Sequence, residues 1–343
     1  MVGDLRILHI GPDTATTGGM ATVIGLLSAS TRTGIRQESA STWSPRSRTH
    51  GLAATVSLIF RLIVFRSFRP DWVHAHLSER GSFLREGAAL VVARALGVAT
   101  AATVHGAEFV AFSERHPVLV RRVLGACRVV FTLGPHAAER ASALCPTTSV
   151  TQILNPVDLD ELARTAPSPT RNSVVFGGEV GRRKGADRLV RVWPEVRRRH
   201  PGATCVLCGP LGDVDVDELP EGMTYLGSLP RPQLLGLVKA ADIACLPSRN
   251  EALPMFILES LALGVPVVTT PVGEIGQLGR SQGVATTDAD ASDLAARIIE
   301  LLGDGEKRTD WGRRGAQWAH ENVSVDSITD VLAAAYRTEG VAA

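Results

Sequence analysis

Apolar residues recur along the chain in two patterns: short runs of strand length, and longer stretches where they return every three or four positions. The first half opens with the run LRILHIG and passes through a glycine-bearing loop, TATTGGM, into the helical stretch ATVIGLLSAS. The runs DWVHAH, VATAATVHG, CRVVFTLG and SVTQILN follow at intervals filled by helical patterns. Strand-length runs alternating with helices predict parallel β-α-β units. Residues 164–172, RTAPSPTRN, break the rhythm with two prolines among Ser, Thr and Asn, and read as a linker. A second series then begins, SVVFGGE, ATCVLCGP, MTYLGS, DIACLPS and PVVTTP, with ADRLVRVWPEVRRRH and RPQLLGLVKAA as helices between them. The end of the chain, ASDLAARIIELL and VDSITDVLAAAYRT, is helical. The expected class is α/β, with two Rossmann-like doubly wound domains facing each other across a cleft. Residues 1–165 form the first, residues 166–322 the second, and residues 323–343 a C-terminal helix expected to cross back to the first.

Composition narrows the function classes. In 343 residues, 45% hydrophobic, there is enough apolar surface for two cores. Lys plus Arg number 36 and Asp plus Glu 35, a balance that gives no bulk attraction to nucleic acid. Five scattered cysteines, Cys127, Cys145, Cys205, Cys208 and Cys245, are not a disulfide framework and fit a reducing compartment. Cys205 and Cys208 form a lone C-x-x-C inside an apolar run; a zinc site needs a second ligand pair, so they read as small core residues. MVGDLRILHIGP does not read as a signal peptide, because its apolar run is short and ends in Gly-Pro. No run approaches the ~20 apolar residues of a membrane span. The nearest, SLIFRLIVFRSF at residues 57–68, is interrupted by Arg61 and Arg66. It reads either as a domain helix with snorkelling arginines or as a basic amphipathic helix touching a membrane face. The expected location is the cytoplasm, with peripheral contact at the inner face of the membrane if the second reading holds.

Ligands of doubly wound sheets bind beyond the carboxyl ends of the strands, and four stretches fall there. Gly18 and Gly19 lie between the first strand and first helix, where glycine lets backbone approach a ligand and the helix offers unpaired N–H groups; an ordinary tight turn is the bland alternative. GGEVGRRKGAD, residues 177–187, sets Arg182, Arg183 and Lys184 at the mouth of a helix starting near Ala186. Three cations at a helix N-terminus are unfavourable unless an anion neutralises them, and a diphosphate would do so by charge-assisted hydrogen bonds. SRNEALPMFILE places Glu251 in a loop, Pro254 at a helix start with the N–H groups of Met255 and Phe256 behind it, and Glu259 on the helix among apolar residues. A buried unpaired Glu259 is costly, and ribose hydroxyls would satisfy it. TVHGAEF puts His105 at a strand end facing the presumed cleft, with His74 and His76 as weaker candidates in WVHAHLSE. The sequence offers no Asp-x-Asp or His/Asp cluster suited to a metal.

EALPMFILESLALGVPVVTTPVGEIGQL, with RRKGAD about seventy residues earlier, resembles the retaining nucleotide-sugar glycosyltransferases of the large family four, which have the GT-B fold. GGMATVI, DWVHAHLSERGSF, TVHGAEF, ILNPVDLDEL, YLGSLPRPQL and ADIACLPSRNEALP fall in the family's order. The resemblance implies that Glu251 lies by the donor sugar, that Glu259 holds the ribose, and that Lys184 belongs to the Lys-Gly loop on the diphosphate. It implies that His105 lies near the donor sugar, that Gly19 lines the cleft, and that Gly178, Leu253, Met255 and Phe256 complete the donor contacts. Glu179 stands where the family usually has Arg, so Arg182 or Arg183 is expected to substitute. The implied reaction moves a sugar from a nucleoside-diphosphate sugar to an acceptor hydroxyl with retention, in polysaccharide, glycolipid or glycosylated natural-product synthesis. Arg183, Lys184 and backbone N–H groups would stabilise the leaving diphosphate, with no metal or cofactor. The acceptor, expected to be lipid-linked or membrane-associated if the membrane reading holds, is not named by the sequence. The rival readings are a nucleotide-sugar epimerase of the same fold, a binding-only relative that has lost catalysis, and a two-domain solute-binding protein. The last would carry an export signal.

Overall fold

The structure, a computed structural model, describes residues 4–341 apart from Thr17, Thr33 and the segments 44–47, 66–67 and 289–290. The chain divides into two compact units, Met1–Pro156 with Val325–Ala343, and Val157–Ser324.

The first unit runs β1 (Leu5–Pro12), α1 (Gly19–Ala29), β2 (Ile35–Trp43), α2 (Arg48–Val64), β3 (Trp72–Leu77), α3 (Gly81–Ala95), β4 (Ala99–Val104), α4 (Phe109–Arg115), α5 (Pro117–Leu124), β5 (Val129–Thr132), α6 (Pro135–Leu144) and β6 (Ser149–Gln152). All its strand pairs are parallel, in the order β2-β1-β3-β4-β5-β6. Strands β3, β4 and β5 are buried almost throughout, as expected for a parallel sheet covered on both faces.

The second unit runs α7 (Leu159–Arg164), β7 (Asn172–Gly177), α8 (Ala186–Arg199), β8 (Cys205–Cys208), β9 (Met223–Tyr225), α9 (Arg231–Lys239), β10 (Ala241–Leu246), α10 (Met255–Ala262), β11 (Val267–Thr269), β12 (Val284–Thr286), α11 (Ala291–Gly303) and α12 (Gly305–Asn322). Its sheet is again parallel, ordered β12-β11-β10-β7-β8-β9. Counted from β7 this is the Rossmann order, which winds one way to β9 and the other way to β12. Both domains of the expected α/β class are therefore doubly wound parallel sheets. The last helix, α13 (Val325–Val341), packs in the first unit, where Tyr336 is fully buried against Trp72 at a ring separation of 4.9 Å.

Two elements differ from the expectation. β2 is not among the runs read as strands, because it alternates buried Ile35 and Gln37 with exposed Arg36 and Glu38 at the sheet edge. α2 satisfies the domain-helix reading on one face only: Thr55, Leu58 and Leu62 are buried, while Leu52, Val56, Phe60 and Ile63 remain 62, 58, 56 and 50% exposed. Arg61 is exposed and stacks 3.8 Å over the ring of Phe68. The other interruption, Arg66, lies outside the described residues. All five cysteines are free and buried, and burial pushes the Cys208 thiol up to about 12. The C-x-x-C is thus inert core packing in β8.

Candidate active site

In a doubly wound sheet the crevice lies where the winding reverses, here beyond the carboxyl ends of β7 and β10. Two loops fill that position, residues 178–185 after β7 and residues 247–254 after β10. They interlock through Gly185, whose φ of 80° is left-handed and whose missing Cβ would lie 1.9 Å from the carbonyl oxygen of Pro247. Only glycine meets both demands, so the glycine of the Lys-Gly pair positions the lysine. Lys184 Nζ forms an ion pair with Glu251 Oε1, Arg183 lies 3.5 Å from the same oxygen, and Ser248 Oγ donates to it at 3.3 Å. Arg183 also donates to Glu179 at 3.3 Å. Glu251, 7% exposed, is therefore a buried carboxylate held by two cations and a hydroxyl. Gly178 underlies this cluster, its N–H donating to Cys208 at 2.9 Å.

The arrangement corrects one argument from sequence. Arg183 and Lys184 are not uncompensated cations awaiting an anion, since Glu251 and Glu179 already face them. Arg182 stands apart: its side chain is exposed and its N–H donates to Asp213 at 2.7 Å. Reading residue by residue missed Arg249, which grips Asp187 of α8 bidentately at 2.7 Å through both nitrogens and also reaches the Arg182 carbonyl. A signal existed: Arg249 stands two residues before Glu251, and Asp187 is an acid in the first turn of a helix.

Helix α10 starts where expected, with Pro254 as its N-cap and Met255 and Phe256 in its first turn; Leu253 just before it is buried. The first N–H groups of any helix lack intrahelical acceptors. Glu259, 4% exposed, is not the unpaired carboxylate expected. Arg231, the first residue of α9, donates from Nη1 to Glu259 Oε1 at 2.6 Å and from Nε to Glu161 at 3.0 Å. Burial pushes the Glu259 carboxyl above its usual range, with Arg231 opposing the shift. Helical periodicity could not reveal this partner, because it comes from another element 28 residues upstream. Nη2 of Arg231 is buried with no hydrogen-bond partner among the described residues.

The first unit gathers a second set of residues. His105 follows β4, with its N–H donating to Leu77 at 2.8 Å, and Gly19 opens α1. Nε2 of His105 lies 2.9 Å from Nδ1 of His76, and Nε2 of His76 lies 3.0 Å from Nδ1 of His9. Nε2 of His9 lies 2.8 Å from Oε1 of Gln37. His74 stacks on His76 at 4.7 Å and uses its nitrogens on Tyr336 and Thr103. Burial lowers the pKa of His9 and of His105 to about 4, and those of His74 and His76 well below the usual value, so the rings are neutral at pH 7. Three of these rings, His9, His74 and His76, bring ligand nitrogens within 4.8 Å of one another, a cluster the sequence did not disclose. The parallel register pairs His9 with His74 across neighbouring strands, and strand alternation returns His76 to the same face.

Residues 160–318 match the family Glycosyl transferases group 1. That group 1 segment contains both glutamates, the Lys-Gly loop, Arg231 and Arg249. A glycogen synthase of Mycobacterium tuberculosis is 27% identical over 266 residues, 70% of this chain and 62% of that relative, so the match spans only about three fifths of its length. A D-inositol 3-phosphate glycosyltransferase of Corynebacterium jeikeium is 32% identical over 161 residues, 42% of this chain and 38% of that relative. Among solved structures, sucrose-phosphate synthase of Thermosynechococcus elongatus superposes with a TM-score of 0.75 at 16% identity, covering 99% of this chain and all of that one. At that identity the likeness shows the fold, the pair of Rossmann-like sheets of GT-B glycosyltransferases.

Proposed function

We propose that the protein transfers a sugar from a nucleoside-diphosphate sugar to an acceptor hydroxyl with retention of anomeric configuration. The observation that carries the reading is the Lys184–Glu251 pair at the winding reversal of a group 1 segment, beside the N-terminus of α10. As the glycosidic bond breaks, its electron pair stays with the nucleoside diphosphate and positive charge develops at the anomeric carbon. Lys184 and Arg183 exchange part of their hold on Glu251 for the leaving diphosphate, and the first N–H groups of α10 add to it. Glu251, released from its cations, is then an acceptor for hydroxyls of the donor sugar. The acceptor hydroxyl attacks from the face the diphosphate leaves and passes its proton to the phosphate. Glu259 holds the ribose while Arg231 fixes its carboxylate in place. Arg183, bound to Glu179, takes the part of the arginine that the resemblance places at position 179.

The test is a thermal-shift screen against nucleoside diphosphates, followed by incubation with nucleotide sugars and a search for slow hydrolysis. A ligand at about 100 times its Kd raises stability by about 2.7 kcal/mol. Activity is expected to persist in EDTA, since the charge on the diphosphate is met by Lys184 and Arg183. Loss in EDTA with recovery on magnesium or manganese would refute that assignment. Epimerised nucleotide sugar as the product would support the isomerase reading, and a thermal shift without turnover the binding-only one.

No helix among the described residues is long and apolar enough to cross a membrane. The exposed stripe of α2 supports peripheral binding instead, with a lipid-linked or membrane-associated acceptor. Between Glu38 and Asp71 the sequence has no acidic residue but carries Arg46, Arg48, Arg61, Arg66 and Arg69, a charge pattern suited to anionic lipid. The protein is expected to sediment with phosphatidylglycerol vesicles and not with phosphatidylcholine vesicles. Phe60→Ser with Ile63→Ser should lower that binding at least about tenfold, since at least half of each side chain is exposed, and an unchanged melting curve would show that the fold is kept. Equal sedimentation with both lipids, or no effect of the double substitution, would remove the stripe from membrane contact.

A further inference from the structure

A parallel sheet covered on both faces is ordinarily lined with Val, Ile and Leu, yet the first unit buries His9, His74 and His76 in adjoining positions. Gln37, His9, His76 and His105 form one continuous line across β2, β1, β3 and the end of β4, with steps of 2.8, 3.0 and 2.9 Å. A neutral imidazole has one N–H and one bare nitrogen, so the state of the first ring dictates that of every ring after it. Gln37 presents its carbonyl oxygen to His9, which must donate from Nε2 and accept at Nδ1. His76 must then donate from Nε2 and accept at Nδ1, and His105 must donate from Nε2. His74 is not a link in the line; it supports His76 by stacking.

We propose that Gln37, His9 and His76 are positioning residues that fix His105 as its Nε2–H tautomer, so that the ring offers a bare Nδ1 to a ligand hydroxyl. The inference rests on the reading that His105 borders the donor sugar. It assigns that ring as a hydrogen-bond acceptor for a sugar hydroxyl and not as a proton source. The neutral state of the line follows from its burial, which holds its three rings below their usual titration range. His9 and His76 have both ring nitrogens engaged, so neither can rotate without breaking the line.

The test is long-range nitrogen–proton correlation NMR on the full chain labelled in histidine, at pH 7.5. Wild-type His105 is expected to carry its proton on Nε2. Had Gln37 offered its amide N–H instead, the line would run the other way and His105 would carry the proton on Nδ1; that spectrum alone, needing no variant, would overturn the proposal. Gln37→Leu removes the acceptor and should give His105 a mixed tautomer, with the donor KM raised about three- to tenfold, the range of one neutral hydrogen bond. Gln37→Glu, an acceptor through either oxygen while its carboxylate is ionised, should restore both readouts. A His105 tautomer unchanged in Gln37→Leu would refute the relay. So would stoichiometric zinc uptake shifting His9, His74 and His76 together, which would make the cluster a metal site. His105→Ala with normal donor kinetics would remove His105 from the sugar while leaving the tautomer result intact, so the two failures are distinguishable.

Discussion

Lys184→Ala is expected to lower kcat by about a hundredfold to a thousandfold, the cost of removing one group that meets developing negative charge in a closed site. Nucleoside-diphosphate affinity should fall with it. The ion pair with Glu251 complicates the reading, because truncating one partner of a largely buried pair also leaves the other uncompensated. The double variant Lys184→Ala/Glu251→Gln separates the effects. It removes the stranded charge, so any loss due only to stability should be recovered in the melting temperature. If Lys184 meets the leaving diphosphate, the double variant should turn over more slowly than Glu251→Gln alone. Turnover equal to that of Glu251→Gln, with stability recovered, would reduce Lys184 to a structural counter-ion of Glu251.

The two glutamates should fail differently. Glu259 is assigned to the ribose, which does not react, so its contacts are alike in ground and transition states. Glu259→Gln should raise the donor KM about tenfold and leave kcat nearly unchanged. Arg231 keeps Glu161 as a partner in that variant, so the fold should tolerate it. Glu251 is assigned to the sugar, where charge and geometry change during transfer. Glu251→Gln should lower kcat by about a hundredfold with a smaller change in KM. Steady-state kinetics on variants with normal melting curves decide the matter. Two variants with normal kinetics, or with the effects exchanged between positions, would overturn the assignment.

The doubly wound fold was legible because parallel strands write themselves as apolar runs at regular intervals, as β3, β4 and β10 do. The edge strand β2 was not, since half of it faces solvent and its pattern is mostly polar. Within the site, the residues joined by a short motif were visible: Lys184 with Gly185, and Glu251 with Glu259. Their partners were not. Arg231 and Glu161 meet Glu259 from separate helices, and the line from Gln37 to His105 is assembled by register between strands. Contacts of that kind depend on which strands neighbour one another, information that no local spacing contains.

The loops of the second unit touch through bare backbone at three points. A Cβ at Gly185 would fall 1.9 Å from the Pro247 carbonyl oxygen, one at Gly209 equally close to that of Gly178, and one at Gly273 to that of Glu251. Each clash is with main chain, which cannot rotate aside as a side chain can, and each glycine has a positive φ. The reach of laboratory evolution at this site is therefore uneven. Side chains that face a ligand can be exchanged one at a time, and altered specificity can be explored by single steps. The glycines beneath them admit no stepwise path, because even alanine would push a neighbouring loop away from the one that carries Lys184 or Glu251. A randomised library selected for activity should accumulate its changes around these three points and leave the points themselves untouched.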